Sequence, residues 1–259
     1  MIVRKILQKI YAIKLFRRLL PSIFKKLIKI SKKNKTIIKH KDVLFQLNLN
    51  NPIDREVYLK GNYEKKQLEY LSKNIDEQNI EYFIDIGAHM GFYSINMSKK
   101  NIKIIAFEPV KNNYIQLKFN KKLNQKKNIK IYNYALSNKK KIITMWVPNK
   151  DKTGGYSVYD NDDEEIKKYH YLKLTKVKSK AIVGDSVLKM INKKLAIKID
   201  VERHEKKVLE GLKCLFKNNN VFIQIELFDN RKNEIIQYLK LQKFSLLNNI
   251  NKDYYFKNF

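Results

Sequence analysis

Residues 82–109, YFIDIGAHMGFYSINMSKKNIKIIAFEP, carry the pattern from which the rest of the chain can be read. An apolar run with one acid, Tyr82 to Ile86, enters a turn holding Gly87 and Gly91. An amphipathic segment follows, and a second apolar run closes on Glu108. This is strand, glycine turn, helix, strand. The 259 residues include only seven glycines, so two of them four apart at the end of an apolar run mark a loop that lets a ligand approach the backbone.

Downstream, a helix over Lys111 to Gln125 and a third apolar run, Ile129 to Leu136, complete β-α-β-α-β, the order of a parallel sheet with helices on its faces. Residues 137–194 interrupt that rhythm. Lys141 to Val147, Tyr171 to Val177 and Lys178 to Val183 read as strands around the turn-rich DKTGGYSVYDNDDEE. Such an insertion either grips a substrate or extends the sheet with antiparallel strands. The rhythm resumes with LAIKIDV (195–201), a helix from Glu205 to Lys217, the strand VFIQIELF (221–228) and a helix from Lys232 to Lys243. Two short strands near Phe244 to Leu247 and Asp253 to Phe256 pair antiparallel across a tight turn.

Upstream, Val43 to Leu49 alternates like a strand, and residues 51–75 read as turn, short helix, a break at Gly61 and a longer helix. Residues 31–41, almost wholly basic or polar, read as a linker or solvated turn. Residues 1–20 space apolar residues helically among basic ones; Pro21 breaks or restarts that helix, and Ser22 to Ile30 repeats the pattern. The expected organisation is a basic amphipathic extension over 1–40 and one α/β domain over 41–259. Residues 1–30 lie on an anionic membrane surface, or else pack on their own domain or a second subunit. Charges recur too often there for a membrane span.

A single cysteine, Cys214, excludes an intrachain disulfide and fits a reducing, cytoplasmic compartment. No paired Cys/His spacing of a zinc site is present, so no metal is expected. The formal charge of +30 suggests a nucleic-acid partner, but it comes from 49 Lys and only six Arg, spread along the chain. Bidentate recognition of phosphates and bases favours Arg, so much of this charge reads as solvated lysine faces.

A dinucleotide fingerprint, G-x-G-x-x-G, needs glycine where this chain has His89, and no G-x-x-x-x-G-K-[ST] loop occurs. S-adenosylmethionine suits the turn better, because it carries an ammonium, a carboxylate, a sulfonium and a ribose but no phosphate. Asp85 can neutralise the amino end, and N–H groups at the start of the next helix can meet the carboxylate. Glu108, 21 residues beyond Gly87, is placed to accept both ribose hydroxyls.

With IDIGAHMGFYS, IAFEP, NYALS, LAIKIDVERHEKKVLEGL and IQIEL in this order, residues 43–256 resemble the FkbM-type S-adenosylmethionine-dependent methyltransferases. The resemblance implies a class I, Rossmann-like fold: a mostly parallel seven-stranded sheet with helices on both faces and a β-rich insertion between strands 3 and 4. It also implies methyl transfer to hydroxyl groups of sugars, glycolipids or other small molecules. Asp85, Gly87, Ala88, His89, Gly91, Glu108 and Pro109 would bind the cofactor, with Ala135 and Leu136 near its adenine. The family usually has Asn at the position of His89 and Gly at that of Arg203.

In that sheet the fourth strand lies beside the first, where ligands bind beyond the carboxyl ends of the strands, so Asp200 would face the cofactor. A sugar hydroxyl needs a base to take its proton. Asp200, Glu202 and His204 are the candidates, with His204 favoured because a helix N-terminus would keep it neutral. Alternatively, Asp200 holds the cofactor while His204 and Glu205 cap the helix. The competing functions are an RNA methyltransferase, although N-P-P-[YF] is absent, and a non-catalytic membrane-surface scaffold.

Overall fold

A computed structural model describes residues 2–13, 16–31, 34–148, 157–158 and 174–259. The chain divides into two compact units, Met1–Lys65 with Pro148–Gly155, and Lys66–Val147 with Tyr156–Phe259.

The first unit holds α1 (Ile2–Ala12), α2 (Phe16–Ser31), the antiparallel hairpin of β1 (Lys35–His40) and β2 (Val43–Asn48), and α3 (Pro52–Lys60). Arg4 donates from Nε to the Tyr58 carbonyl at 3.1 Å, and Gln8 donates to the same oxygen at 3.2 Å. These donors on α1 meet carbonyls in the last turn of α3, where a helix has acceptors to spare. Phe24 of α2 stacks on Tyr58 with ring centroids 5.3 Å apart. Residues 35–40 are therefore strand where a linker was expected. Thr36, Ile38 and His40 point inward and the residues between them outward, a period of two too short to stand out among so many lysines. Pro21 does not end a helix either: it lies inside α2 at the loss of one intrahelical hydrogen bond, and α1 ends at Ala12 with a bend at Ile13.

The second unit runs α4 (Lys65–Glu77), β3 (Tyr82–Ile86), α5 (Phe92–Met97), β4 (Lys103–Phe107), α6 (Lys111–Leu123), β5 (Ile129–Tyr132), β6 (Ala135–Ser137), β7 (Lys141–Pro148), β8 (Ser157–Val158), β9 (Leu174–Val183), α7 (Gly184–Val187), β10 (Lys194–Ile199), α8 (Glu205–Glu210), α9 (Lys213–Lys217), β11 (Asn220–Glu226), α10 (Asp229–Leu241), β12 (Ser245–Ile250) and β13 (Asp253–Lys257). Seven strands form one sheet in the order β12-β13-β11-β10-β3-β4-β5, in which only β13 runs against its neighbours. This is the class I, Rossmann-like order, with β10 beside β3 at the topological switch. A second sheet, β6-β9-β7-β8, is the expected β-rich insertion.

Three local expectations change. The apolar run 129–136 is two strands in different sheets, β5 and β6. The two strands expected over 171–183 are one, β9, with residues 171–173 and most of DKTGGYSVYDNDDEE outside the described residues. The helix expected over 205–217 is broken at Gly211, where a Cβ would lie 2.1 Å from the Ser137 carbonyl oxygen; the close approach of β6 requires glycine there.

Three strands share one pattern in register: FIDIG (83–87), AIKID (196–200) and FIQIE (222–226). Ile84, Ile86, Ile197, Ile199, Ile223 and Ile225 face the main core, together with Val208, Leu209, Leu212, Phe216 and Leu239 of the helices that follow. Strand alternation sends Asp85, Lys198 and Gln224 to the opposite face as one polar row, with Asp200 and Glu226 one step further along.

Candidate active site

The polar row is buried and paired. Lys198 Nζ lies 2.8 Å from Asp200 Oδ2 and 4.6 Å from the centre of the Tyr93 ring. Gln224 Nε2 donates to Tyr93 Oη at 3.2 Å and to Asp253 Oδ1 at 2.8 Å. Asp253 stands directly opposite Glu226 in the β11–β13 ladder. Four carboxyls, those of Asp85, Asp200, Glu226 and Asp253, thus gather around one buried ammonium, a ratio that burial tolerates only if some carboxyls keep their protons. Burial and the nearby Asp200 push Glu226 up to about 9. Burial also works against charge on Asp200, but Lys198 and a hydrogen bond from Glu226 hold it below the ordinary aspartate value. Of this pair, Asp200 is the ionised member and Glu226 carries the proton.

Asp85 is fully buried, and its Oδ2 accepts from Ser94 N at 3.1 Å and Ser94 Oγ at 2.6 Å, tying the end of β3 to α5. In the glycine turn, Gly87 N and Ala88 N both donate to the Phe107 carbonyl at 3.0 Å, and Gly91 N donates to the Ala88 carbonyl at 2.7 Å. Gly87 has φ +87°, and a Cβ on it would lie 1.9 Å from the Asp200 carbonyl oxygen. Close contact between the ends of β3 and β10, more than approach by a ligand, therefore explains this glycine.

Glu108 is the residue against which the fit of a ribose can be judged. Its two oxygens accept from His89 N and Val110 N, each at 2.7 Å, and burial pushes its pKa up to about 7 despite those bonds. The Asn113 side chain hydrogen-bonds the same carboxyl. Of a carboxylate's about four lone-pair directions, the two amides and Asn113 therefore leave one open, and a vicinal diol would take that one and the place of Asn113. The turn that follows is braced: Asn133 donates to the carbonyls of Glu108 and Pro109, and Ser179 of β9 donates to that of Pro109 at 3.0 Å. Leu136 packs in the main core and Ala135 in a small cluster with Ile143, Met145 and Ala181.

The three candidate bases have different surroundings. Asp200 sits against Lys198 at the end of β10. Glu202 lies two residues further, half-buried, and burial followed by the charges of Asp200 and Glu205 raises its pKa to about 7. His204 is 3% exposed with Nε2 3.0 Å from Ser137 Oγ, and its pKa is lowered to about 4. The causes are burial first and then Lys141 and Arg231; His204 is also the N-cap residue of α8, the helix start at which the sequence placed it. Glu205, the first residue of α8, accepts from Arg203 N at 2.8 Å, and the N-cap residue His204 makes no side-chain cap hydrogen bond.

Both family departures fall on left-handed backbone, His89 at φ +50° and Arg203 at φ +77°, beside Glu202 at φ +47°. Side chains are strained there. Arg203→Gly is expected to raise stability by about 1 kcal/mol, seen as a higher denaturant midpoint.

The raised carboxyls also set a pH trend. Above pH ~6.5, the ordinary histidine value, His204 is neutral whether folded or unfolded. Glu108 and Glu202 retain protons in the folded state up to about 7, and Glu226 up to about 9, whereas the unfolded chain releases them near 4.5. The folded state binds more protons, so stability falls as pH rises from ~6.5 to ~9. Denaturant midpoints across that range should decline.

Sequence reasoning missed Lys198, Gln224 and Glu226. Their signal was the shared pattern of FIDIG, AIKID and FIQIE, each an apolar strand with a polar residue at the same register, followed in the last two by an acid two residues on.

Among solved structures, M. jannaschii TYW2 in complex with AdoMet is 12% identical, with 87% of this chain and 84% of that one covered at a TM-score of 0.43. A precorrin-6y C5,15-methyltransferase from Geobacter metallireducens GS-15 is 9% identical, covering 73% and 85% at 0.42. An rRNA methylase from Streptococcus thermophilus is 11% identical, covering 74% and 92% at 0.39. No curated protein matches the chain. The family model of the methyltransferase FkbM domain matches residues 85–246, from the buried acid of β3 to the start of β12. That span is more than half of the chain, which therefore belongs to the FkbM family of S-adenosylmethionine-dependent methyltransferases.

Proposed function

We propose that this methyltransferase acts on a hydroxyl oxygen of a glycan, glycolipid or other small hydroxylated acceptor, with Glu202 as general base. The observation that carries this reading is the division between two carboxyls at the end of β10: Asp200 is kept ionised by Lys198, while Glu202, two residues on, has a pKa near 7. Neighbouring acids driven apart in this way suit different tasks.

S-adenosylmethionine supplies an electrophilic methyl group on a positively charged sulfur. Glu108 would hold its ribose, and the turn from Asp85 through Gly87, Ala88, His89 and Gly91, with Pro109 behind Glu108, would shape the rest of its seat. Ala135 and Leu136 would back the adenine side. Asp200 would stay charged as the local anion for the donor's cation. Glu202 would take the acceptor's proton on a carboxylate oxygen, because a base with a pKa near the operating pH combines the deprotonated form with adequate strength. His204, bonded to Ser137 and neutral, would hold α8 against β6 and take no proton.

The acceptor class is tested by incubating the purified protein with methyl-labelled S-adenosylmethionine and fractionated cell extract. Label should enter a glycan, glycolipid or small-molecule fraction and survive ribonuclease. Label confined to RNA and released by ribonuclease would instead favour the reading that the +30 charge suggests.

A further inference from the structure

The outward face of α2 carries an apolar line. Phe16, Leu19, Ile23, Leu27 and Ile30 are 41%, 54%, 52%, 55% and 78% exposed. Their steps of three and four residues put them on one side of the helix. Leu20 and Ile28 are buried and define its inward side, so the exposed line is not a core face turned the wrong way. Ile6 and Ile13, each 52% exposed, add to the apolar surface of this basic segment. Residues 1–41 contain fourteen Lys and Arg and no Asp or Glu.

We propose that α2 docks this methyltransferase on an anionic lipid surface, lying in the interface with its apolar line among the acyl chains and its cations among the headgroups. Both halves of the pattern are then used. RNA would engage the cations and leave the five apolar side chains in water. A second copy would cover the apolar line only by bringing two acid-free basic segments together, which like charges oppose. No helix among the described residues is long and apolar enough to cross a membrane, so the helix lies on the surface. This inference is independent of the acceptor.

The test is flotation of the full chain with vesicles of phosphatidylcholine alone or with about one-third phosphatidylglycerol. The protein should float with the anionic vesicles and not with the neutral ones. Ile23→Glu/Leu27→Glu should reduce the bound fraction at least about tenfold, while circular dichroism and S-adenosylmethionine affinity stay unchanged. Ile30→Glu, at a more exposed position, repeats the test should the pair unsettle the helix. Three results would overturn the proposal: no flotation of the parent, equal flotation of the variants, or vesicle-free dimers in light scattering that the variants dissociate. Retention of RNA by parent and variants alike, without flotation, would overturn it too.

Discussion

Glu108→Ala is expected to weaken S-adenosylmethionine binding at least about a hundredfold, the largest effect on binding that one residue here should have. A buried carboxylate accepting from two ribose hydroxyls makes two charge-assisted hydrogen bonds, each contributing about 1.5–3 kcal/mol. Either value summed over two bonds reaches a hundredfold at about 1.4 kcal/mol per decade. The same carboxylate also accepts from His89 N and Val110 N, so alanine leaves two amides without their acceptor and loosens the turn. Glu108→Gln separates the two effects. It keeps a carbonyl acceptor for one amide, and it should bind S-adenosylmethionine with intermediate affinity and unfold close to the parent. Calorimetry with thermal unfolding on both variants checks this; parent-like affinity in Glu108→Ala would remove Glu108 from the donor site.

Glu202→Gln is expected to lower kcat by about a hundredfold to ten-thousandfold while leaving donor affinity within about twofold, the pattern of a lost general base. The amide keeps the size of the side chain and cannot accept the proton. In the parent, turnover should rise with pH through about 7 as Glu202 loses its proton, and this limb should vanish in the variant. His204→Gln should slow turnover by no more than a few-fold, because a buried imidazole with a pKa near 4, engaged by Ser137, is poorly placed to act as base. A loss on His204→Gln larger than that on Glu202→Gln would return the role to His204.

The sheet was legible because its strands are buried on both faces and so appear as apolar runs, and because the glycine turn and Glu108 mark the first β-α-β unit. The charge chemistry was less legible. Lys198, Gln224 and Glu226 look like stray polar residues in apolar strands, and only the register of β3, β10 and β11 brings them into a single network. The meaning of Gly87 also depended on a distant element. Its neighbour is the Asp200 carbonyl, 113 residues away in sequence, and no local pattern reports that contact. For His204 the helix start was legible, but the burial that does most to keep it neutral, and the charges of Lys141 from the insertion and Arg231 from α10, were not. The hairpin strand β1 was hidden by its lysines, whose side chains occupy the outward positions of a strand as readily as those of a linker.

The most direct measurement is carbon-13 NMR of the product made with methyl-labelled S-adenosylmethionine, compared between the parent and Glu202→Gln. The expected result is a methoxy carbon on a glycan or small hydroxylated acceptor, formed by the parent and nearly absent with the variant. An N-methyl carbon on RNA, or a methoxy product formed equally fast by Glu202→Gln, would contradict the account.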